Sequence, residues 1–261
     1  MTLPEFRQRK AAGQRLSVVT CYDFAFARLL AQTDVDCLLV GDSVAMVVHG
    51  HATTIPADVA MMALHTAAVA RGAGDKFIIA DMPFLEHRKG LTAAVAAAQA
   101  LLQAGAHALK IEGAVGNLDI IQNLVEGGVP VMGHVGLTPQ FVNTFGGFKV
   151  QGREDEAAER IVADALALEQ AGVFAIVAEG VPAPLGKRIA EATTVPVIGI
   201  GAGPDVDGQV LVLHDLLGFT AKPPKFARTF AEIATLSLEG LRAFDAAVKA
   251  GIFPNEKESY R

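Results

Sequence analysis

The sequence predicts an α/β fold in which eight parallel strands, each followed by a helix, close into a single (β/α)8 barrel. The chain has 261 residues, close to the roughly 250 residues of such a barrel. Short apolar runs alternate with longer Ala-rich segments of helical spacing, which is typical of repeated strand-helix units around a parallel sheet. Eight runs can be counted, and eight strands close a TIM barrel.

The predicted strands are short runs rich in Val, Ile, Leu and Ala. Hydrophobic residues make up 51% of the chain, aromatic residues only 6%, and Trp is absent. Aliphatic side chains therefore have to build the interior, as they do in parallel strands and their covering helices. In chain order the predicted strands cover residues 16–22, 37–42, 76–81, 108–112, 129–134, 174–179, 195–201 and 209–215.

Two of these runs carry a proline near their start. Pro130 and Pro196 fall at the second residue of their runs, where a strand tolerates the missing amide donor. Between the runs, several segments show helical spacing and end at Gly, as helices often do. The predicted helices cover residues 57–71, 92–104, 155–171 and 185–193.

The end of the chain differs from the repeated pattern. Pro223 and Pro224 interrupt the sequence after the eighth run, and residues 226–250 favour one or two amphipathic helices. No linker or internal duplicate appears. We therefore expect one catalytic barrel domain over residues 1–261, with an extra N-terminal helix and a C-terminal helical extension over residues 226–261.

Charge and composition argue against some classes of binding partner. Twenty-two Lys and Arg against 28 Asp and Glu give a net charge of -6 without a basic cluster, which argues against nucleic acid as a partner.

The N-terminus lacks the apolar stretch of a secretory signal, and polar residues interrupt the most apolar window, residues 91–111. Cys21 and Cys37 lie in apolar runs and are expected to be reduced. We expect a cytoplasmic protein that acts on small molecules and does not bind membranes.

Polar residues end several of the predicted strands. Barrel enzymes place catalysis at the carboxyl ends of their strands, so these side chains are expected to converge on one rim. A single Asp at such a position is more often a helix N-cap, but the coincidence of several favours a site. The candidates are Asp42, Ser43, Asp81, Lys110, Glu112, His134 and Glu179.

The acidic members of this set predict a metal site. Carboxylates that lie within a few ångströms of one another repel unless cations or protons are bound. Mg²⁺ prefers oxygen ligands and keeps positions open for water or substrate. Asp42, Asp81 and Glu112 are therefore candidate ligands for Mg²⁺ or another divalent metal.

The remaining candidates suggest acid-base chemistry. Lys110 and Glu112 are two residues apart, so both side chains lie on the same face of their strand and point into the barrel. A lysine there can balance charge on an enolate oxygen or pair with a substrate carboxylate. Glu179, on another strand, is the candidate base. His134 alone fits a hydrogen-bonding loop residue as well as a proton carrier.

Seven segments resemble the ketopantoate hydroxymethyltransferase family, in order and with similar spacing between about residues 17 and 226. GLTPQ and KVQGR are the distinctive parts. The segments are VGDS at 40–43, GH at 50–51, IADMPF at 79–84, KIEG at 110–113, GHVGLTPQ at 133–140, GGFKVQGR at 146–153 and PVIGIGAG at 196–203.

The resemblance implies a barrel of the phosphoenolpyruvate mutase and isocitrate lyase type. It implies an enzyme that makes ketopantoate from 3-methyl-2-oxobutanoate and 5,10-methylenetetrahydrofolate, on the way to pantothenate and coenzyme A. It also implies a homodecamer. The expected route is a Mg²⁺-stabilised enolate that attacks the one-carbon unit.

Family positions match individual residues of this chain. The resemblance assigns Mg²⁺ binding to Asp42, Asp81 and Glu112, and binding of the oxo acid to Asp42, Ser43, Asp81 and Lys110. Glu179 matches the proton acceptor, and Lys110 is expected to steady the developing negative charge. His134 is kept as a candidate proton relay.

Three alternatives remain open from the residues. The first is a metal-dependent carbon-carbon lyase or phosphonomutase on the same barrel, although a lyase-type nucleophilic Cys loop is not found. The second is an aldolase in which Lys110 forms a Schiff base with the oxo group. The third is a non-catalytic barrel that binds oxo acids or a partner protein.

Overall fold

Eight strands pair in parallel in chain order, and the last pairs with the first to close the barrel. The computed structural model describes residues 1–260. The predicted TIM barrel is confirmed, with a strand inside or beside every predicted run. The strands are β1 Leu16–Thr20, β2 Cys37–Val40, β3 Phe77–Asp81, β4 Ala108–Glu112, β5 Val131–Gly136, β6 Ala175–Glu179, β7 Val197–Ile200 and β8 Gly208–Leu211.

Helices follow the strands, and the four predicted ones are present with ends shifted by at most two residues. The extra N-terminal helix is also present as α1. Through the barrel the helices are α1 Leu3–Ala11, α2 Phe24–Leu30, α3 Val44–Val47, α4 Val59–Gly72, α5 Leu91–Gln103, α6 Leu118–Glu126, α7 Val142–Phe145, α8 Asp155–Gln170 and α9 Ala183–Ala192, with 3-10 turns at Glu86–Arg88 and Pro139–Phe141.

Two prolines lie just outside their strands rather than at the second residue as predicted. β5 begins at Val131 and β7 at Val197, each directly after its proline. The proline carbonyls still join the ladder: the carbonyl of Pro130 accepts from Leu109 N, and that of Pro196 from Ile176 N, both at 2.9 Å. A proline can extend a ladder as an acceptor because it lacks only the donor.

The side chain of Phe6 closes the N-terminal end of the barrel. Phe6 lies on α1 and is fully buried. Its ring packs edge-on against Phe77 at the start of β3, 5.3 Å between centroids, and against Phe174 just before β6, 4.9 Å away. The apolar core therefore fills the end of the barrel at which the strands begin, and polar side chains are left to the opposite end.

Both cysteines are free and buried, as expected. Burial raises the pKa of Cys21 to about 11 and that of Cys37 to about 12. Since the thiolate is the reactive form, neither thiol is an activated nucleophile.

The chain divides into two compact units, residues 1–212 and residues from 213 onward. The second contains α10 Leu213–Leu216, α11 Ile233–Lys249 and a 3-10 turn at Glu256–Glu258. The segment 226–250 thus forms one helix, α11, in which no residue is buried. Between residues 1 and 260, no helix is long and apolar enough to cross a membrane.

Candidate active site

The barrel register brings the predicted site residues side by side at the carboxyl ends of the strands. Asp81 of β3 pairs with Lys110 of β4, and Glu112 pairs with His134 of β5. Asp42 is the second residue after β2, and Glu179 ends β6. These residues thus lie at the same end of the barrel, and Asp42, Asp81, Lys110, Glu112 and His134 are all buried. Their roles in a site stay predictions.

Lys110 lies at the centre of this cluster. Its Nζ atom is 3.3 Å from Asp81 Oδ1, 3.4 Å from Glu112 Oε1 and 3.0 Å from His134 Nδ1. Burial lowers the pKa of Lys110, but the nearby carboxylates outweigh burial and raise it above its usual value. The lysine is therefore a buried cation, and it lies on the same inward face of β4 as Glu112, as the spacing predicted.

Asp42 and Asp81 form a pair of carboxyl groups beside the lysine. The backbone N–H of Asp42 donates to Asp81 Oδ2 at 2.9 Å. Burial raises the pKa of both carboxyl groups, and repulsion from Asp81 and Glu112 raises that of Asp42 further. Asp81 Oδ1 accepts no hydrogen bond and has only its ion pair with Lys110. One cation does not neutralise this pair together with Glu112.

Glu112 is the most fully engaged carboxylate. Its Oε2 accepts the backbone N–H of Gln140 at 3.0 Å, and its Oε1 lies 3.4 Å from Lys110 Nζ and 3.6 Å from His134 Nδ1. Burial acts to raise the pKa of Glu112, but Lys110 and His134 outweigh it, so the pKa lies below its usual value. Glu112 is thus ionised, and both of its oxygens are in contact with protein groups.

His134 connects the cluster to Glu179. Its Nε2 atom lies 3.3 Å from Glu179 Oε2, on the side of the ring opposite Lys110. Burial and Lys110 lower the pKa of His134, but the contacts with Glu112 and Glu179 outweigh them and raise it. The Glu179 side chain keeps 16% of its surface exposed, so this carboxylate faces the open end of the barrel.

A glycine sets how closely β5 approaches Glu179. Gly136 pairs with Glu179 in the β5–β6 ladder and has φ +89°, a conformation that side-chain-bearing residues rarely adopt. A Cβ at this position would clash with the Glu179 carbonyl oxygen and would lie only 2.7 Å from Val181 Cγ1. Only glycine allows the strand that carries the candidate base to lie here.

Ser43 follows Asp42 at the edge of the cluster. Its Oγ atom lies 2.8 Å from the hydroxyl of Tyr22, a buried residue just after β1. A Cβ at Gly41 would be 2.8 Å from Ser43 Oγ and 3.6 Å from Asp81 Oδ2. The turn after β2 therefore packs against both side chains and fixes the serine hydroxyl.

Two residues of the site were not predicted individually. Gln140 donates from Nε2 to Asp42 Oδ2 at 2.8 Å and to the Met82 carbonyl at 2.9 Å, in addition to its backbone contact with Glu112. Tyr22 holds Ser43. The signals were present: Gln140 ends the distinctive GLTPQ segment, and Tyr22 is a large polar-tipped residue at the end of the first apolar run.

The three candidate metal ligands share a neighbourhood but not a common coordination point. In the part of the chain that the structure describes, no group of three or more His, Cys, Asp and Glu is arranged to hold a metal ion. Lys110 Nζ lies between Asp81 and Glu112. Gln140 donates a hydrogen bond from its side chain to one oxygen of Asp42 and another from its backbone N–H to one oxygen of Glu112. The assignment of Asp42, Asp81 and Glu112 as metal ligands stays a prediction.

Comparisons with solved structures agree with the fold. The chain is similar to 2,3-dimethylmalate lyase, a phosphoenolpyruvate mutase/isocitrate lyase superfamily member, with a TM-score of 0.61 and 16% identity over 100% of this chain and 93% of that one. It is also similar to a phosphonopyruvate hydrolase in complex with oxalate and Mg²⁺, with a TM-score of 0.61 and 14% identity over 99% and 93%. At these identities the likeness shows the barrel fold alone.

Sequence comparison is more specific. A family model described as ketopantoate hydroxymethyltransferase matches residues 1–256. The chain is 53% identical over 260 residues to a 3-methyl-2-oxobutanoate hydroxymethyltransferase of Bdellovibrio bacteriovorus, and the match covers 99% of both chains. The resemblance seen in the seven segments thus extends over nearly the whole chain. The chain therefore belongs to the ketopantoate hydroxymethyltransferase family of enzymes.

Proposed function

We propose that this enzyme transfers a hydroxymethyl group from 5,10-methylenetetrahydrofolate to 3-methyl-2-oxobutanoate, giving 2-dehydropantoate for pantothenate and coenzyme A synthesis. The observation that carries the proposal is the buried cluster around Lys110, linked through His134 to Glu179. It provides charged groups that can bind a small oxo acid, with a carboxylate base at their edge. The Bdellovibrio bacteriovorus relative is a 3-methyl-2-oxobutanoate hydroxymethyltransferase, which supports the choice of acid.

The chemistry of these oxygen donors, rather than their spacing in this structure, suits a hard divalent cation. Asp42, Asp81 and Glu112 place three buried carboxyl groups beside one lysine, and the pKa of Asp42 is raised first by burial and then by repulsion from Asp81 and Glu112. Mg²⁺ commonly binds through one or two carboxylates plus water and substrate oxygens. Asp42 and Asp81 each keep an oxygen without a hydrogen bond, so we assign them as the principal ligands, with Glu112 as the third.

A bound Mg²⁺ would supply Lewis-acid polarisation of the 2-oxo group. The phosphonopyruvate hydrolase of the same fold was solved with oxalate and Mg²⁺, but the assignment here rests on the carboxylates of this chain. Lys110 and the Ser43 hydroxyl bind the oxo acid's oxygens, and Tyr22 keeps the serine hydroxyl in place.

Glu179 serves as the general base. Its carboxylate takes the proton from C3 of the oxo acid, and the electron pair of the broken C–H bond moves towards the 2-oxo oxygen. The Lys110 ammonium balances the negative charge that develops there. C3 then forms a bond to the one-carbon unit of the donor, and the net reaction consumes one water and releases tetrahydrofolate.

The state of Lys110 favours this route over a Schiff-base aldolase. A Schiff base requires a neutral amine as nucleophile. The pKa of Lys110 is raised by Asp81, Glu112 and Asp42 despite its burial, which keeps the amine protonated. Borohydride treatment in the presence of the oxo acid tests this directly, since trapping of the acid on Lys110 would contradict the proposal.

The activity itself can be tested with the purified chain. Incubation with 3-methyl-2-oxobutanoate, 5,10-methylenetetrahydrofolate and Mg²⁺ should yield 2-dehydropantoate by mass spectrometry, and a chelator should abolish the product until Mg²⁺ is restored. Absence of product under all metal conditions would overturn the proposal in favour of a binding barrel. Product that forms equally well in chelator would overturn the metal assignment alone.

The homodecamer and the cytoplasmic location stay predictions carried by the resemblance and by the sequence. Light scattering on a sizing column tests the assembly, and cell fractionation tests the location. A monomer at working concentrations would contradict the first.

A further inference from the structure

A second cavity adjoins the candidate active site at the open end of the barrel. Its volume is about 520 Å³, and His134 forms part of its wall. Small-molecule sites commonly measure roughly 300–1,000 Å³, whereas a five-carbon acid held between Ser43 and Lys110 has no need of this space. The cavity is therefore available to a second, larger reactant that must reach the acid beside Glu179.

One wall of this cavity is aromatic. Phe141 and Phe145 line it, with ring centroids 6.3 Å apart and planes tilted by 32°. The guanidinium of Arg88 lies 5.9 Å from the Phe141 ring and donates to the Val115 carbonyl at 2.9 Å. Such a wall suits a flat, conjugated ring that packs on the phenyl groups, with an anionic group near the exposed arginine.

The facing wall is one side of helix α8. Ala157, Arg160, Ile161 and Asp164 all line the cavity, and their spacing of three and four residues places them on a single helix face. Arg160 is paired with Glu156 at 2.7 Å. The lining is thus mainly apolar, with one carboxyl group set into it.

Asp164 has no partner that explains its position. It is half-buried, and within residues 1–260 it makes neither a hydrogen bond nor an ion pair; only the charge of Arg160 acts on it. Burial raises the pKa of Asp164. A carboxylate so placed is free to accept hydrogen bonds from a ligand, and it can accept two parallel N–H groups at once.

We propose that this cavity binds the tetrahydrofolate donor, with the pterin ring against Phe141 and Phe145 and its pyrimidine edge hydrogen-bonded to Asp164. The ring N–H and the neighbouring 2-amino group of that edge match the two oxygens of the carboxylate. Arg88, at the mouth, faces the anionic glutamate tail. The inference rests on the proposed function, because it takes the identity of the donor from it.

The test measures binding without turnover. Tetrahydrofolate, which carries no one-carbon unit, is titrated calorimetrically into the protein saturated with Mg²⁺ and 3-methyl-2-oxobutanoate. Asp164→Asn should raise the Kd about tenfold or more, as expected for loss of a hydrogen bond to a charged group, and Phe141→Leu should also raise it. Glu159→Gln, the same change on an exposed residue of the same helix, should leave it unchanged.

A folate analogue that lacks the 2-amino group identifies the contact. It should bind the wild-type protein more weakly than tetrahydrofolate does, and Asp164→Asn should weaken it far less than it weakens tetrahydrofolate. Equal losses for both ligands would overturn the assignment of the pyrimidine edge. An unchanged Kd in both cavity variants, or no binding by the wild type, would overturn the cavity as the donor site.

A separate readout distinguishes this failure from failure of the proposed function. Exchange of the C3 hydrogen of the oxo acid with deuterated solvent, followed by NMR without folate, reports the Glu179 step alone. Asp164→Asn should exchange at the wild-type rate, which also shows that the variant is folded. A loss of exchange in Asp164→Asn would place this residue in the oxo-acid site and contradict the inference.

Discussion

His134 Nε2 lies 3.3 Å from Glu179 Oε2, while the other ring nitrogen of His134 lies 3.0 Å from Lys110 Nζ. An ammonium group can only donate. In the neutral ring, Nδ1 therefore accepts from Lys110 and Nε2 carries the proton, which faces Glu179. The imidazole thus lies between the Glu179 carboxylate and the buried charge of Lys110, and its 3.3 Å contact with Glu179 lacks hydrogen-bond geometry.

Replacement of Glu179 by Gln should remove the base without removing the pocket. We expect the rate of C3 deuterium exchange and kcat to fall by about 10²- to 10⁴-fold, the usual contribution of a positioned base. The affinity for the oxo acid should change little. Glu191→Gln, on the exposed part of α9, is the matched control, and wild-type exchange in Glu179→Gln would assign the base elsewhere.

Mg²⁺ should stabilise the folded chain through Asp81. A ligand that binds only the native state adds about 2.7 kcal/mol when its concentration is 100 times Kd. Titration of Mg²⁺ into chelator-treated protein should therefore raise the midpoint of thermal unfolding. Asp81→Asn should abolish this rise, whereas Asp75→Asn, in the loop before β3, should retain it. The same rise in Asp81→Asn would show that Mg²⁺ binds at another place.

Gln140 should act by positioning the carboxylates. Gln140→Met removes the donors to Asp42 Oδ2 and the Met82 carbonyl but keeps the backbone contact with Glu112. Leaving a buried acceptor unsatisfied costs roughly 1–3 kcal/mol, measurable by urea denaturation. We also expect a weaker response to Mg²⁺. The exposed Gln122→Met on α6 is the control, and equal effects of both would contradict this role.

His87 should make the folded state sensitive to acid. It is 2% exposed, neither ring nitrogen has a hydrogen-bond partner, and burial lowers its pKa to about 4. The unfolded chain takes up the proton near pH 6.5, so stability is complete above that pH and is lost as pH falls towards 4. The slope for one proton is at most about 1.4 kcal/mol per pH unit.

His87→Leu should therefore lose less stability than the wild type between pH 7 and pH 5. Denaturant unfolding at both pH values measures the difference, and the exposed His51→Leu should follow the wild type. If the stability of wild type and His87→Leu showed the same pH dependence, His87 would have to take up its proton at the same pH in the folded and the unfolded protein. That result would contradict the lowered pKa.

The barrel was predictable because its signal is repeated. Eight apolar runs separated by helical segments give the strand count, even where a single run is ambiguous. Strand ends were less predictable. The last predicted run, 209–215, continues past β8 into the first residues of α10, since apolar side chains continue from the strand into the helix and periodicity over so few residues cannot separate them.

The positions of the candidate site residues were predictable where those residues lie on strands. Asp81, Lys110, Glu112, His134 and Glu179 are strand residues, and parallel strands in register bring their ends together. Gln140 lies in a 3-10 turn after β5, and its reach to Asp42 depends on how that loop folds back across the barrel. No local pattern encodes such a contact.

Phe6 and the rings around it leave the barrel with a single mouth. Reactants and products must pass through the same opening, since the other end is filled with phenyl groups. A small acid bound beside Lys110 is then covered by any molecule that binds between it and the opening of the barrel. The proposed sites for the acid and the donor therefore predict ordered binding, in which the acid binds before the donor and the product leaves after it.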